Sequence, residues 1–259
     1  MAYTKVIARV RSGLVQVLYE RGGRRVGSGS GFLVGGGLVT NSHVLRPGQI
    51  DAILIRMADT DPQDPGSYIT LLPEACYQAV THEPPAELHD YAFLGLDEPE
   101  FAGRYRFAFD SEMAPVVGEQ VAFLGFPFGM AQLTAHLGHI SSIHERNGTT
   151  VLQIDGSING GNSGGPLINE DGDVIGLVTR AITGVIEEQF ERLIDALRHN
   201  QEALQGGGGR VLLGGIDPIQ ALRASQAAME QIARDLHRSA NVGIGYAYSA
   251  EYIRDAITA

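Results

Sequence analysis

The sequence has little of several features that would define a function class by themselves. It contains one cysteine, Cys76, so no disulfide can form within the chain and a disulfide-rich scaffold is excluded. It contains no apolar run long enough to cross a membrane, so we predict no membrane partner. Residues 1–11 lack the uninterrupted apolar segment of a secretory signal, which favours a cytoplasmic location unless a leader has already been removed.

Basic residues are also scarce. The sequence has 19 Lys and Arg residues against 30 Asp and Glu residues, and the formal net charge is -11. Residues 51–112 hold thirteen of the acidic residues and only three arginines, so nearly all of the excess lies in one segment. An acidic surface repels phosphate backbones, and we therefore expect no nucleic-acid partner. The segment either keeps the protein soluble or favours basic substrates, and the sequence leaves both interpretations open.

Short apolar runs separated by glycine- and proline-marked turns occupy most of the 259 residues. Many short strands at near-regular spacing favour an all-β barrel or sandwich over a doubly wound α/β fold. The predicted strands lie within residues 12–34, 38–41, 52–57, 69–72, 76–81, 91–96, 120–125, 136–143, 150–154, 173–178 and 241–248.

The strand pattern is interrupted by two helical segments. Apolar residues within 184–205 recur three, four and seven positions apart, the period of an amphipathic helix, and four glycines follow it. Asp217 and Pro218 supply an N-cap and a first-turn proline for a second helix that ends near residue 238. We therefore predict one domain over residues 1–259, with residues 181–240 inserted as a helical hairpin and a last short helix over residues 250–257.

Ser163 lies among four glycines in residues 158–168, between two apolar flanks. Glycine-rich turns expose backbone amides, and such amides stabilise a developing negative oxygen in acyl transfer. The alternative interpretation is an ordinary surface loop. A serine nucleophile needs a base and an orienting acid, and His43 and Asp90 are the candidates because His, Asp, Ser is a known chain order for serine triads.

Other readings of the same residues are weaker. The glycines around Ser163 also fit the turn of α/β-hydrolases, with Asp217 and His237 as partners, but the alternating strand and helix pattern of those folds is missing. His89 is a rival base, although a strand would direct it away from the face that Asp90 uses. Cys76 lacks a glycine turn of its own, which disfavours it as a nucleophile. His136 and His139 would lie on opposite faces of a strand, so we predict no metal site.

Six motifs in the same order make the chain resemble the chymotrypsin-like serine proteases, most closely the bacterial HtrA/Deg branch. They are residues 27–34, 40–44, 89–94, 124–129, 138–142 and 160–167. The resemblance covers residues 29–180 and 241–257 and implies a double β-barrel with the site in the cleft between the barrels. It also implies that His43, Asp90 and Ser163 form the catalytic triad, and that Gly161, Asn162 and Ser163 form the oxyanion hole.

The resemblance further implies a substrate pocket lined by Ser157, Thr179 and Ile244. None of these side chains is charged, so a small or apolar residue is expected at the cleavage position of a protein or peptide substrate. No cofactor is implied. The chain as given lacks the PDZ module that family members usually carry, which favours processing of a specific partner. Residues 181–240 are expected to regulate the cleft or to associate with a partner or a second copy. The competing function is a protease-like binding or regulatory protein with a collapsed oxyanion hole.

Overall fold

The computed structural model describes residues 2–85, 89–110, 114–179, 185–205, 217–239 and 243–258. The chain divides into two compact units, Met1–Ala181 with Val242–Ala259, and Ile182–Asn241. The first unit contains all of the described strands, and the second contains two helices. None of the described helices combines the length and the apolar character that crossing a membrane requires.

The N-terminal half of the larger unit is a seven-stranded sheet with the strand order β5-β4-β1-β2-β3-β7-β6. Adjacent strands pair in the antiparallel sense, and one face of the sheet covers a core of aliphatic side chains that includes Leu33 and Ile55. The strands are β1 (Leu14–Arg21), β2 (Arg24–Val34), β3 (Gly37–Thr40), β4 (Ala52–Met57), β5 (Tyr68–Leu71), β6 (Val80–His82) and β7 (Ala92–Leu94).

Three helices belong to this part of the chain: α1 (Ala2–Val10), which contacts the C-terminal half through Tyr3 and Arg9, α2 (Ser42–Leu45) and α3 (Pro73–Ala79). The predicted strand at residues 76–81 is therefore wrong over most of its length, because α3 runs to Ala79 before β6 begins. Pro73 occupies the first helical turn, where its missing N–H is not needed, and the Cys76 amide donates to the Leu72 carbonyl at 3.0 Å. Proline thus starts a helix here, a signal that the strand prediction did not take into account.

The C-terminal half is a closed six-stranded barrel with the order β10-β13-β12-β11-β8-β9. Its strands are β8 (Gln120–Gly125), β9 (Thr134–Arg146), β10 (Thr149–Ile154), β11 (Pro166–Ile168), β12 (Val174–Thr179) and β13 (Gly245–Ser249). The last helix, α6 (Glu251–Thr258), follows β13 directly. The all-β architecture is confirmed, with one closed barrel and one seven-stranded sheet that forms a half-barrel.

The second unit is a helical hairpin of α4 (Val185–Gln205) and α5 (Pro218–Ser239), which confirms both predicted helices. Asp217 caps α5 as predicted, since its Oδ1 accepts from the Ile219 amide at 3.0 Å. The two helices bury a small apolar cluster of Ile194, Leu197 and Ala233.

Candidate active site

The segment around Ser163 folds as a tight turn that only glycine can form at two positions. Gly161 and Gly164 have φ values of +99° and +86°, a region that L side chains rarely adopt. A Cβ on Gly161 would lie 2.3 Å from the Phe126 carbonyl oxygen, and one on Gly164 would lie 2.1 Å from the Ser30 carbonyl oxygen. The glycines therefore let the chain pass close to the segment that follows β8 and to β2.

The amides of this turn fall into two groups. Those of Asn162 and Gly164 donate to the carbonyls of Asn159 and Val178, at 3.0 and 2.9 Å. Within the part of the chain that the structure describes, the amides of Gly161 and Ser163 donate to no backbone or side-chain acceptor. Two free amides that flank one residue are the arrangement that an oxyanion hole requires.

The carbonyls next to Gly161 are held from outside the turn. The Gly160 carbonyl accepts from the Phe128 amide at 2.6 Å, and the Gly161 carbonyl accepts from the Ser30 hydroxyl at 2.6 Å. The C=O and N–H of a trans peptide point in opposite directions, so the first bond directs the Gly161 N–H away from Phe128.

His43 and Asp90 lie in direct contact. His43 is on the short helix α2, and its Nδ1 lies 2.5 Å from Asp90 Oδ2. The His43 backbone amide donates to the second carboxylate oxygen, Oδ1, at 3.1 Å, and the Asn41 side chain donates to the Asp90 carbonyl at 2.6 Å. A carboxylate on Nδ1 keeps the proton there, which leaves Nε2 with its lone pair as a base.

The Ser163 hydroxyl is the unpaired member of the group. Ser163 is 3% exposed, and its Oγ forms no hydrogen bond with any described residue. The hydrogen bond from Oγ to His43 that a complete triad needs is therefore not formed in this structure. Asn162 beside it is 1% exposed, and neither polar atom of its side chain has a partner among the described residues.

The residues predicted to line the substrate pocket belong to three segments that meet at β13. Thr179 pairs with Tyr246 across β12 and β13, and a Cβ on Gly245 would touch the side chain of Ile158. The segment of Ser157, the end of β12 and the start of β13 are thus neighbours. Ser157 is half-buried and Ile244 is 38% exposed.

Thr179 also has a contact that the sequence analysis did not foresee. It is buried, and its hydroxyl donates to Asp90 Oδ2 at 3.4 Å, across from the C-terminal barrel to the N-terminal half. No local pattern marks such a contact, because its partner lies 89 residues away.

The rival residues have other roles in the structure. His89 stacks on Tyr252 with ring centroids 4.0 Å apart, and its Nδ1 lies 3.0 Å from the Thr149 hydroxyl. Burial lowers the pKa of His89. Cys76 is fully buried, and burial raises the pKa of its thiol to about 11. His237 has a side chain that lies outside the described residues, while Asp217 caps α5 in the hairpin unit.

The histidines that the sequence analysis considered for a metal site have other contacts. Within the described ranges, no three His, Cys, Asp or Glu side chains come together as metal ligands. His136 stacks on Phe123 at 4.7 Å between centroids, and His139 lies 3.2 Å from Asp155.

Known proteins share both the sequence pattern and the fold. The chain is 33% identical over 167 residues to serine protease HTRA4 of Homo sapiens, covering 60% of this chain and 31% of the relative. It is 29% identical over 222 residues to a probable periplasmic serine endoprotease DegP-like of Chlamydia pneumoniae, covering 79% of this chain and 40% of the relative. The chain thus spans less than half the length of these two relatives.

The crystal structure of the serine endoprotease from Yersinia pestis superposes with a TM-score of 0.54 at 26% identity, covering 69% of this chain and 57% of that chain. This similarity confirms the predicted double β-barrel fold of chymotrypsin-like proteases. The chain also matches the family of trypsin-like peptidase domains over residues 29–177. Since that match extends over more than half of the chain, this protein belongs to the trypsin-like peptidase family.

Proposed function

We propose that the chain is a serine endopeptidase that cleaves a protein or peptide substrate through an acyl-enzyme, without a cofactor. Ser163 Oγ attacks the carbonyl carbon of the scissile bond while His43 Nε2 takes the hydroxyl proton. Asp90 holds the imidazole and stabilises its cation. The contact of 2.5 Å between His43 Nδ1 and Asp90 Oδ2 is the observation that carries the proposal.

The oxyanion and the leaving group follow from the same arrangement. The amides of Gly161 and Ser163, with Asn162 between them, would bind the negative oxygen of the tetrahedral intermediate. His43 then gives its proton to the leaving amine, and the acyl ester remains on Ser163. A water molecule, deprotonated by His43, hydrolyses the ester and restores the serine.

A fluorophosphonate probe tests this function, because it phosphonylates only an activated serine. We expect stoichiometric labelling of the full chain, lost in Ser163→Ala and retained in Ser141→Ala, which removes an exposed hydroxyl on β9. Cleavage of casein or of a peptide library should be lost with the same variant. Labelling that persists in Ser163→Ala would assign the nucleophile elsewhere and overturn the proposal.

A second candidate function is a protease-like binding or regulatory protein. The observation that favours it is the Ser163 hydroxyl, which makes no hydrogen bond to His43 within the described residues. Such a protein would bind peptides without cleaving them. Absence of fluorophosphonate labelling, together with retained peptide affinity, would select this function over the first.

We also propose that the cleavage position takes a small or medium apolar residue. Ser157, Thr179 and Ile244 bring no charge to the three segments that meet at β13, so a Lys or Arg side chain would lack a counter-charge there. Peptides with Ala, Val or Leu at that position should be cleaved at least ~10-fold more efficiently than those with Arg. The reverse order would require an acidic residue from another segment.

For residues 181–240 we propose association with another polypeptide chain, the same chain included. Leu222, Met229 and Ile232 lie on one side of α5 and are exposed, and the described part of the hairpin buries the apolar side chains of Ile194, Leu197 and Ala233. Replacing residues 184–238 by a short linker should change the mass in solution or the peptide kinetics. A variant unchanged in both would contradict the proposal.

A further inference from the structure

Among the residues that the structure describes, Arg56 is the largest fully buried side chain, at 1% exposed, although arginine is normally a surface residue. It lies on β4, and among the described residues no carboxylate lies within ion-pair distance of its guanidinium. Its hydrogen bonds go to carbonyl oxygens instead, at 3.1 Å to Met57 and 2.9 Å to Thr60, with a further bond to Ala131. A buried cation held only by neutral groups is expensive, so its place in the fold needs a reason.

Gln16 is the cross-strand partner of Arg56, and both side chains reach the same segment of the chain. The two residues are in register on β1 and β4, and Gln16 Oε1 accepts from Arg56 Nη2 at 3.0 Å. Gln16 Nε2 then donates to the Met130 carbonyl at 2.8 Å. The pair, which we call the Gln16–Arg56 clamp, therefore holds two consecutive carbonyls, those of Met130 and Ala131.

The clamp closes on a turn whose backbone is strained. Phe128 has a φ of +57°, an uncommon value for a bulky residue, and Gly129 follows at +70°. The Phe128 side chain is 67% exposed, so packing of the ring does not hold this conformation. Hydrogen bonds to its backbone hold it, namely that of the Met130 amide to the Pro127 carbonyl at 3.0 Å and those of the clamp to the residues that follow.

This turn orients one of the two free amides of the candidate oxyanion hole. The Phe128 amide donates to the Gly160 carbonyl at 2.6 Å, and the trans peptide then points the Gly161 N–H the opposite way. We infer that Gln16 and Arg56 are positioning residues for the oxyanion hole, which act on the Gly161 amide through the turn at residues 127–131. The inference rests on the proposed endopeptidase function for its catalytic consequence, but the chain of contacts is independent of it.

Two variants test the clamp in the full-length protein. Arg56→Met removes the guanidinium with little change in volume. Gln16→Glu keeps an acceptor for Arg56 and adds an ion pair, but it cannot donate to the Met130 carbonyl, so it loosens the turn without emptying the core. Because an amide in the wrong orientation weakens binding of the transition state, we expect kcat to fall ~10-fold or more in both variants with KM nearly unchanged.

Arg106→Met is the matched control. Arg106 also lies in the N-terminal half and donates to backbone carbonyls, at 3.1 Å to Val34, but nothing in its contacts leads to the turn. It should lower the melting temperature without changing kcat. Equal losses of kcat in Arg106→Met and Arg56→Met would assign both arginines a general structural role and overturn the inference.

Amide hydrogen exchange separates this inference from the proposed function. Loss of the clamp should accelerate exchange of the Phe128 amide in Gln16→Glu, at a pH and temperature where exchange of the β1 amides is unchanged, whether or not the wild type cleaves peptides. An inactive wild type with this exchange pattern contradicts the function and supports the clamp. A Phe128 amide that stays equally protected in Gln16→Glu contradicts the clamp and leaves the function standing.

Discussion

The two links of the proposed triad differ in how far they are formed. Asp90 receives both the Nδ1 and the backbone amide of His43, at 2.5 and 3.1 Å, and Thr179 adds a third donor. Ser163 Oγ, in contrast, has no hydrogen-bond partner among the described residues.

The origin of the difference lies in where the residues come from. His43 and Asp90 both belong to the N-terminal half, and the segments next to them are joined by the bond from the Ser42 hydroxyl to the Tyr91 carbonyl at 2.7 Å. Ser163 belongs to the C-terminal half. The distance between His43 and Ser163 therefore depends on the packing of two halves, whereas the distance between His43 and Asp90 depends on local hydrogen bonds. Small shifts between the halves change the first link and leave the second intact.

The largest test of this comparison is Asp90→Asn, which removes the charge from the link that is formed. An amide in place of the carboxylate favours the wrong imidazole tautomer, and we expect kcat for a peptide substrate to fall about 10⁴-fold with a small change in KM. Steady-state kinetics on one peptide, with Asp110→Asn as a control outside the site, measure this effect. A loss below 10-fold would mean that the formed link is not the one that drives catalysis.

Gly161→Ala tests the serine side. The added Cβ would lie 2.3 Å from the Phe126 carbonyl oxygen at a φ of +99°, so the peptide must rotate and the amide leaves its position. Loss of one oxyanion donor lowers kcat by about 10²-fold. Gly160→Ala is the matched control, since a Cβ there meets nothing within 4 Å. Similar kinetics for the two variants would contradict the role of the Gly161 amide.

A smaller effect is expected for Thr179→Val, which keeps the shape of the side chain and removes the hydroxyl that reaches Asp90. One hydrogen bond to a charged group contributes about 1.5 kcal/mol, or roughly a tenfold change in kcat/KM at most. Thr150→Val removes a hydroxyl that contacts Tyr252 instead and serves as the control. An unchanged kcat/KM in Thr179→Val would show that the hydrogen bond from Thr179 to Asp90 does not contribute to catalysis.

The smallest effect concerns Cys76, which is buried like Ser163 but lies outside the site. Because burial raises its pKa to about 11, the thiolate fraction at pH 8 is about 0.1% and alkylation of the folded protein should be negligible. Iodoacetamide should label Cys76 only after denaturant is added, and a fluorophosphonate should label Ser163 before. Rapid alkylation of the native protein would show that burial does not suppress the reactivity of Cys76.

Much of the architecture could be predicted because its signals are local. The apolar period and the Asp217 cap mark the helices of the hairpin, and the glycines around Ser163 mark the turn that the structure contains. Helix α1 was missed, although Tyr3, Val6 and Val10 are spaced as a helix requires and are buried on one side.

The remaining features depend on contacts between distant parts of the chain. An arginine in a strand is typical of an exposed edge, and nothing in the sequence indicates that Arg56 is buried against a carbonyl 75 residues away. The sequence also gives no sign of the positive φ of Phe128, because only the contacts of the turn impose this conformation on a residue that normally avoids it. Both features depend on contacts between distant residues, so a local sequence pattern cannot predict them.

Helix α6 affects when the surroundings of Asp90 can form during synthesis. Tyr252 on α6 stacks on His89, and its carbonyl accepts from the Tyr91 hydroxyl at 3.3 Å, so both neighbours of Asp90 contact a residue made about 160 positions later. A chain still being synthesised lacks these contacts until residue 252 has left the ribosome. The surroundings of the proposed catalytic acid are therefore completed late in synthesis, well after His89, Asp90 and Tyr91 have themselves been made.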